Sequence, residues 1–182
     1  LRSNMRDTEI ATACFSARSA LASHDSTAAA VASSPALALV SQWVDDHDDA
    51  PRETINRALM VLGNMARSPP HAQAMMDGGA VELVKSAVSK CCIDSETPAP
   101  TVLAASVLLL QRLARTPAAI AAIASSGALR RVVRAVSSGE AYMRDEACIS
   151  SIIDLIRTNA AEPAAASELA AIHAQELIVA GM

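Results

Sequence analysis

The stretch Ala58-Leu59-Met60-Val61-Leu62-Gly63-Asn64-Met65-Ala66-Arg67-Ser68-Pro69-Pro70, resumed at Gly78-Gly79-Ala80-Val81-Glu82-Leu83-Val84, decides how this chain is read. Ile55, Leu59, Leu62, Met65 and Ala66 recur at spacings of three and four, which predicts a helix from Pro51 to Arg67 with one apolar stripe. Pro51 suits a first helical turn, and Asp48 or Asp49 is placed to cap it. Pro69-Pro70 ends that helix. A short helix from Pro70 to Asp77 follows, and Gly78-Gly79 stops it. A third helix runs from Gly79 to Lys90, with Val81, Leu83, Val84, Ala87 and Val88 inward.

The same succession recurs on both sides. Leu21-Ala22-Ser23-His24 runs to Pro35-Ala36-Leu37, Met65-Ala66-Arg67-Ser68 to Gly79-Ala80-Val81, and Leu113-Ala114-Arg115-Thr116 to Gly127-Ala128-Leu129. In each, 13 positions separate the alanine (22, 66, 114) from the proline or glycine (35, 79, 127), and successive units lie 44 and then 48 positions apart. A fourth unit starts at Leu155-Ile156-Arg157-Thr158. An Ala-rich insertion from Asn159 to about Ala170 interrupts it, and it resumes as His173-Ala174-Gln175-Glu176, matching His71-Ala72-Gln73-Ala74. Further helices are predicted at Glu9–Ala22, Thr27–Ala32, Pro35–Val44, Thr101–Arg115, Pro117–Ala124, Gly127–Val136 and Ala141–Arg157. No trio of this size covers its own apolar face, so stacked neighbours must share a core. The chain starts at Leu1 inside a long helix and stops at Gly181-Met182 where another helix is due, so it reads as a fragment of a longer array.

Composition agrees. Of 182 residues 52% are hydrophobic, 19% charged and 2% aromatic, the aromatics being Phe15, Trp43 and Tyr142; 40 residues are alanine. Such a chain is too apolar for disorder and too rich in helix-favouring alanine for a β-sandwich. The longest strongly apolar run, Val102 to Leu110, is too short for a membrane-spanning helix. A net charge of −4 and three aromatics speak against nucleic-acid binding. Cys14, Cys91, Cys92 and Cys148 make no disulfide framework; they read as reduced, mostly buried thiols.

These residues resemble armadillo repeats, whose pattern is an apolar helix ending in Leu-x-Asn-Leu-Ala, a short helix, a Gly-Ala or Gly-Gly turn and Leu/Val pairs. The second and third units carry the likeness over about 90 residues; the short middle helix and the glycine turn favour armadillo over HEAT repeats. The resemblance implies an all-α fold, a right-handed α-solenoid of about three to four three-helix repeats. Residues 1–182 form one domain, with repeats at approximately 1–34, 35–78, 79–126 and 127–182. It implies a non-catalytic scaffold that holds an extended peptide or partner domain in the concave groove, or that joins neighbouring subunits of a larger assembly. Relatives of this look serve in adhesion, nuclear transport, chaperone complexes and ciliary axonemes, so a cytoplasmic, cytoskeletal or ciliary place is expected, with the nucleus also open. A regulatory or substrate-recruiting domain of a multidomain enzyme, such as a ubiquitin ligase, is the alternative reading, and a nuclear-transport adaptor the third.

In importin-alpha-like and beta-catenin-like members an Asn on the third, long helix bonds the bound peptide's backbone. Asn64 occupies that place; its counterparts here are Ala20, Arg112 and Asp154. Met60 stands where importin-alpha-like members have Trp, with Ser16, Leu108 and Ser150 as counterparts. The Trp/Asn ladder is absent, which argues against nuclear-localisation-signal binding. The groove candidates are therefore Asn56, Met60, Asn64, Leu108, Arg112 and Asp154, a mixed row suited to a partner bearing both charges.

Arg67, Arg115 and Arg157 are repeat-equivalent cations at the ends of long helices. There they complement the negative helix pole, and they form a secondary candidate surface. Arg130, Arg131 and Arg134 make a local basic patch, read either as a phosphate or acidic-peptide contact or as a solvated convex face. The acidic run Asp45, Asp46, His47, Asp48, Asp49 lacks the glycine and closing glutamate of a calcium loop. Trp43 takes the place of Ala87 and Ala135 and is expected in the core. No zinc-binding cysteine pair, phosphate-cradling loop or nucleophile motif is present, so no catalytic site, metal, cofactor or small-molecule substrate is expected.

Overall fold

The structure, a computed structural model, describes residues 11–17, 36–46 and 50–172. Among these, every regular element is helical: α1 (11–17), α2 (Ala36–Asp46), α3 (Arg52–Met65), α4 (Pro69–Asp77), α5 (Ala80–Val88), α6 (Pro100–Leu113), α7 (Pro117–Ser125), α8 (Ala128–Ser137), α9 (Glu140–Arg144), α10 (Glu146–Ala160) and α11 (Pro163–Ala171). The all-α expectation holds for this part of the chain. The predicted helix at Thr27–Ala32, the resumed unit from His173, His24, His47, Asp48, Asp49 and Ala20 lie outside the described residues.

Local chemistry sets the helix ends. Pro69, Pro100, Pro117 and Pro163 occupy first turns, where a missing N–H costs nothing. Pro51 sits one place earlier than expected, as the residue preceding α3. Thr116 caps α7, its hydroxyl accepting from the Ala119 N–H at 3.1 Å. Gly79 and Gly127, the markers of the repeat, both adopt the left-handed region, at φ 90° and 77°. Each turns the chain from a short helix into the helix that follows it, α5 or α8, a conformation that costs residues with a Cβ about 1–2 kcal/mol.

The long helices pack side by side, α3 on α6 and α6 on α10. The helices before them do likewise, α2 on α5 and α5 on α8, while α11 rests on α7 and α8. Repeat-equivalent elements are thus spatial neighbours. One apolar cluster runs through all of them, from Ala11 to Leu169, with Leu59, Leu62, Leu103, Leu109, Leu110, Leu129 and Leu155 almost wholly covered. Full burial of each such leucine contributes about 1.5–3 kcal/mol. Ala66 and Ala114 are both buried where their long helices end, and Trp43 is buried like its counterparts Ala87 and Ala135. Trp43 meets Phe15 edge to face, with ring centroids 5.6 Å apart.

Three details depart from the expected layout. The helix expected to run on to Lys90 widens into a π turn at Ser89–Ile93, closed by Asp94 N–H donating to Ser89 C=O at 2.9 Å. Neighbouring Cys91 and Cys92 are both buried in this widened turn. The single helix expected at Ala141–Arg157 breaks at Asp145, whose carboxylate accepts from the Cys148 N–H at 2.8 Å and starts α10 afresh. The Ala-rich segment read as an insertion supplies α11, which packs on α7 in the manner of another short helix.

Candidate functional site

The expected groove residues sit on the long helices. On α3, Asn56, Met60 and Asn64 are half-buried and follow each other at spacings of four, which aligns them along one face. On α6 the matching Leu108 and Arg112 are half-buried, as is Asp154 on α10, whereas Ser150 is exposed.

Matched positions of adjacent helices touch. Arg112 Nη1 donates to Asn64 Oδ1 at 3.0 Å. A Cβ at Gly63 would lie 3.5 Å from Nη1, an ordinary contact, so the pair does not depend on a glycine there. Burial first, then the positive charges of Arg67 and Arg115, push the Arg112 pKa below its ordinary value. The group nevertheless stays protonated at neutral pH. Arg115 Nε donates to the Arg112 carbonyl at 2.9 Å, so it does neutralise an open helix end. Arg67, exposed just past Ala66, adds a third cation to this corner.

Asp154 does not join that pair. It binds Arg157 on its own helix at 2.8 Å, with both side chains at least half exposed. The link from α6 to α10 is instead Gln111 Nε2 donating to the Ser151 carbonyl at 2.9 Å. The expected row therefore divides into a bonded Asn64–Arg112 pair and a separate Asp154–Arg157 pair. The first offers amide and guanidinium N–H donors suited to backbone carbonyls or a carboxylate; the second offers one charge of each sign.

The three buried thiols of Cys91, Cys92 and Cys148 are poor nucleophiles. Burial pushes Cys92 and Cys148 up to about 12 and also raises Cys91, so none is a thiolate at neutral pH. Tyr142, likewise raised by burial to about 12, ties down the loop before α6. Its hydroxyl accepts from the Ala99 N–H at 3.0 Å and donates to the Cys92 carbonyl at 3.3 Å. Among the described residues no three His, Cys, Asp or Glu side chains come together as metal ligands, and no helix is long and apolar enough to cross a membrane.

One surface was only half visible in the sequence. Arg130, Arg131 and Arg134 line a cavity of about 490 Å³ between α8 and the π turn, and Lys85, Ser89 and Glu168 line it with them. The arginine cluster was the only sequence signal; the other three residues arrive from α5, the π turn and α11 through tertiary packing.

No family model matches the chain, and neither a curated protein nor a solved structure matches it.

Proposed function

We propose that the helical trios form part of a right-handed, armadillo-like α-solenoid, and that the chain is a non-catalytic scaffold holding an extended protein segment along α3, α6 and α10. The observation that carries this reading is the side-by-side packing of repeat-equivalent long helices, with matched Asn64 and Arg112 bonded at 3.0 Å on half-buried positions. A ladder of equivalent positions at regular intervals suits a ligand whose own backbone repeats regularly. Met60 and Leu108, half-buried beside the polar pair, supply apolar contact. Asn64 and Arg112 supply the N–H donors, and Asp154 with Arg157 favours a partner bearing both charges.

The test is affinity for a partner recovered with the full chain, measured by calorimetry for Asn64→Ala and Arg112→Ala. Each variant is expected to keep its helical circular dichroism and to lose at least fivefold in affinity. Unchanged affinity in both removes the groove reading.

A further inference from the structure

The cavity between α8 and the π turn lies away from the row just described and carries a charge opposite to that of the chain as a whole. The chain's formal net charge is −4, yet this cavity is lined by four cations, Lys85, Arg130, Arg131 and Arg134, against two carboxylates, Asp94 and Glu168.

Internal pairing divides those charges into used and unused. Arg130 is taken by Glu168, in a two-pronged contact at 3.2 Å from each of two nitrogens. Lys85 Nζ is taken by the two carboxylate oxygens of Glu82, at 2.9 and 2.8 Å. Among the described residues Arg131 meets only a neutral partner, the Ser89 hydroxyl. Arg134 has no hydrogen bond or ion pair among the described residues, and neither has the Asp94 carboxylate. Two guanidinium charges and one carboxylate are therefore left uncompensated on one concave surface. The π turn contributes directly, because Ser89 opens it, and Ile93 and Asp94 at its other end line the same cavity. Such turns are rarer and looser than α-helix and concentrate at functional sites.

We propose that this cavity binds a phosphate monoester, and specifically a phosphorylated Ser or Thr side chain on a protein segment with a Lys or Arg beside it. Arg131 and Arg134 are the planar forks that best match a tetrahedral dianion, and the Ser89 hydroxyl adds a donor once Arg131 turns to the ligand. The volume far exceeds that of a lone tetrahedral anion, leaving room for flanking residues against Ile93 and Ala124. Asp94 then meets the flanking cation, and together with Glu168 it repels an extended polyanion.

The experiment uses the full chain and nuclear magnetic resonance. Inorganic phosphate is titrated first, then a peptide library with a fixed central phosphoserine and random flanks, then its unphosphorylated counterpart. Saturable shifts at Ser89, Arg131 and Arg134 are expected with phosphate and at least tenfold tighter with the phosphopeptides, whose enriched members carry Lys or Arg beside the phosphoserine. Arg131→Gln combined with Arg134→Gln is expected to weaken phosphopeptide binding at least tenfold. Asp94→Asn is expected to tighten inorganic phosphate and to abolish the basic-flank preference, a readout that stands even if the double variant is poorly folded. Equal binding of both libraries, no saturable shift, or an Asp94→Asn variant that behaves like the parent overturns the proposal. Saturation by inorganic phosphate with no enriched phosphopeptide overturns the assignment to a protein segment.

Discussion

Arg112 Nη1 and Asn64 Oδ1 lie 3.0 Å apart although 48 positions separate the two residues in the chain. They occupy the same place in successive units, so the bond joins like to like across α3 and α6. It makes part of the candidate groove a structural tie as well as a contact surface. A double-mutant cycle with Asn64→Ala and Arg112→Ala is expected to give a coupling of about 0.5–1.5 kcal/mol in urea unfolding. Additive losses would show that the two side chains do not sense each other.

Gly79→Ala and Gly127→Ala are each expected to cost about 1–2 kcal/mol, because both residues lie at positive φ while nothing within 4 Å would obstruct a Cβ. Gly78→Ala is a different case. Its Cβ would stand 2.7 Å from Leu37 Cδ2, the movable end of a side chain on α2, and 3.2 Å from the Ala74 carbonyl oxygen, so its cost lies in displacing Leu37 and is expected to be the smaller one. Adding Leu37→Ala should relieve part of that cost and leave the other two unaffected. Thermal melts of the three glycine variants, each alone and combined with Leu37→Ala, beside Leu37→Ala itself, check this.

Stability is expected to fall on the alkaline side. In the unfolded chain the thiols ionise near pH 8.5 and tyrosine near pH 10. In the folded chain burial holds Cys92, Cys148 and Tyr142 at about 12. The raised groups stabilise the fold fully below the unfolded values, and this contribution is lost as pH climbs from about 9 towards 12. Each contributes a slope of at most about 1.4 kcal/mol per pH unit. Urea midpoints from pH 7 to 10.5 should be level and then drop, and Cys148→Ala should flatten the drop. A midpoint independent of pH over this range contradicts the burial of these groups.

Ser106 on α6 is fully buried and its hydroxyl has no hydrogen-bond partner among the described residues. Ser106→Ala removes an uncompensated polar atom and is expected to stabilise the chain by about 1 kcal/mol, seen as a higher melting temperature. A loss of stability would mean that the hydroxyl is satisfied in solution.

What the sequence made legible is what repeats. The marker glycines at 79 and 127 were visible because they break the helical pattern at the same place in two units; that both adopt left-handed backbone is what the structure adds. The stripe Ile55, Leu59, Leu62 and Met65 was visible because helical spacing shows burial directly, and all four are buried. Features decided by single tertiary contacts were not legible. Nothing in Ser89-Lys90-Cys91-Cys92-Ile93 announces a π turn, which forms where two adjacent cysteines are both buried. Asp145 carries a capping residue's chemistry, yet the apolar spacing around it reads straight through. Asn64 and Arg112 were paired by alignment, but their bond depends on how closely two helices approach, and Asp154 turned to a nearer cation, Arg157.

The most direct test of the central proposal, that the matched face of the long helices holds the partner, is site-specific photo-crosslinking in the full chain. A benzophenone side chain is placed at Leu108 on α6, at Met60 on α3 and, as a contrast, at exposed Arg144 on α9. The account predicts one partner crosslinked from positions 60 and 108 and none from 144. Crosslinks from 144 with none from 60 or 108 would contradict it.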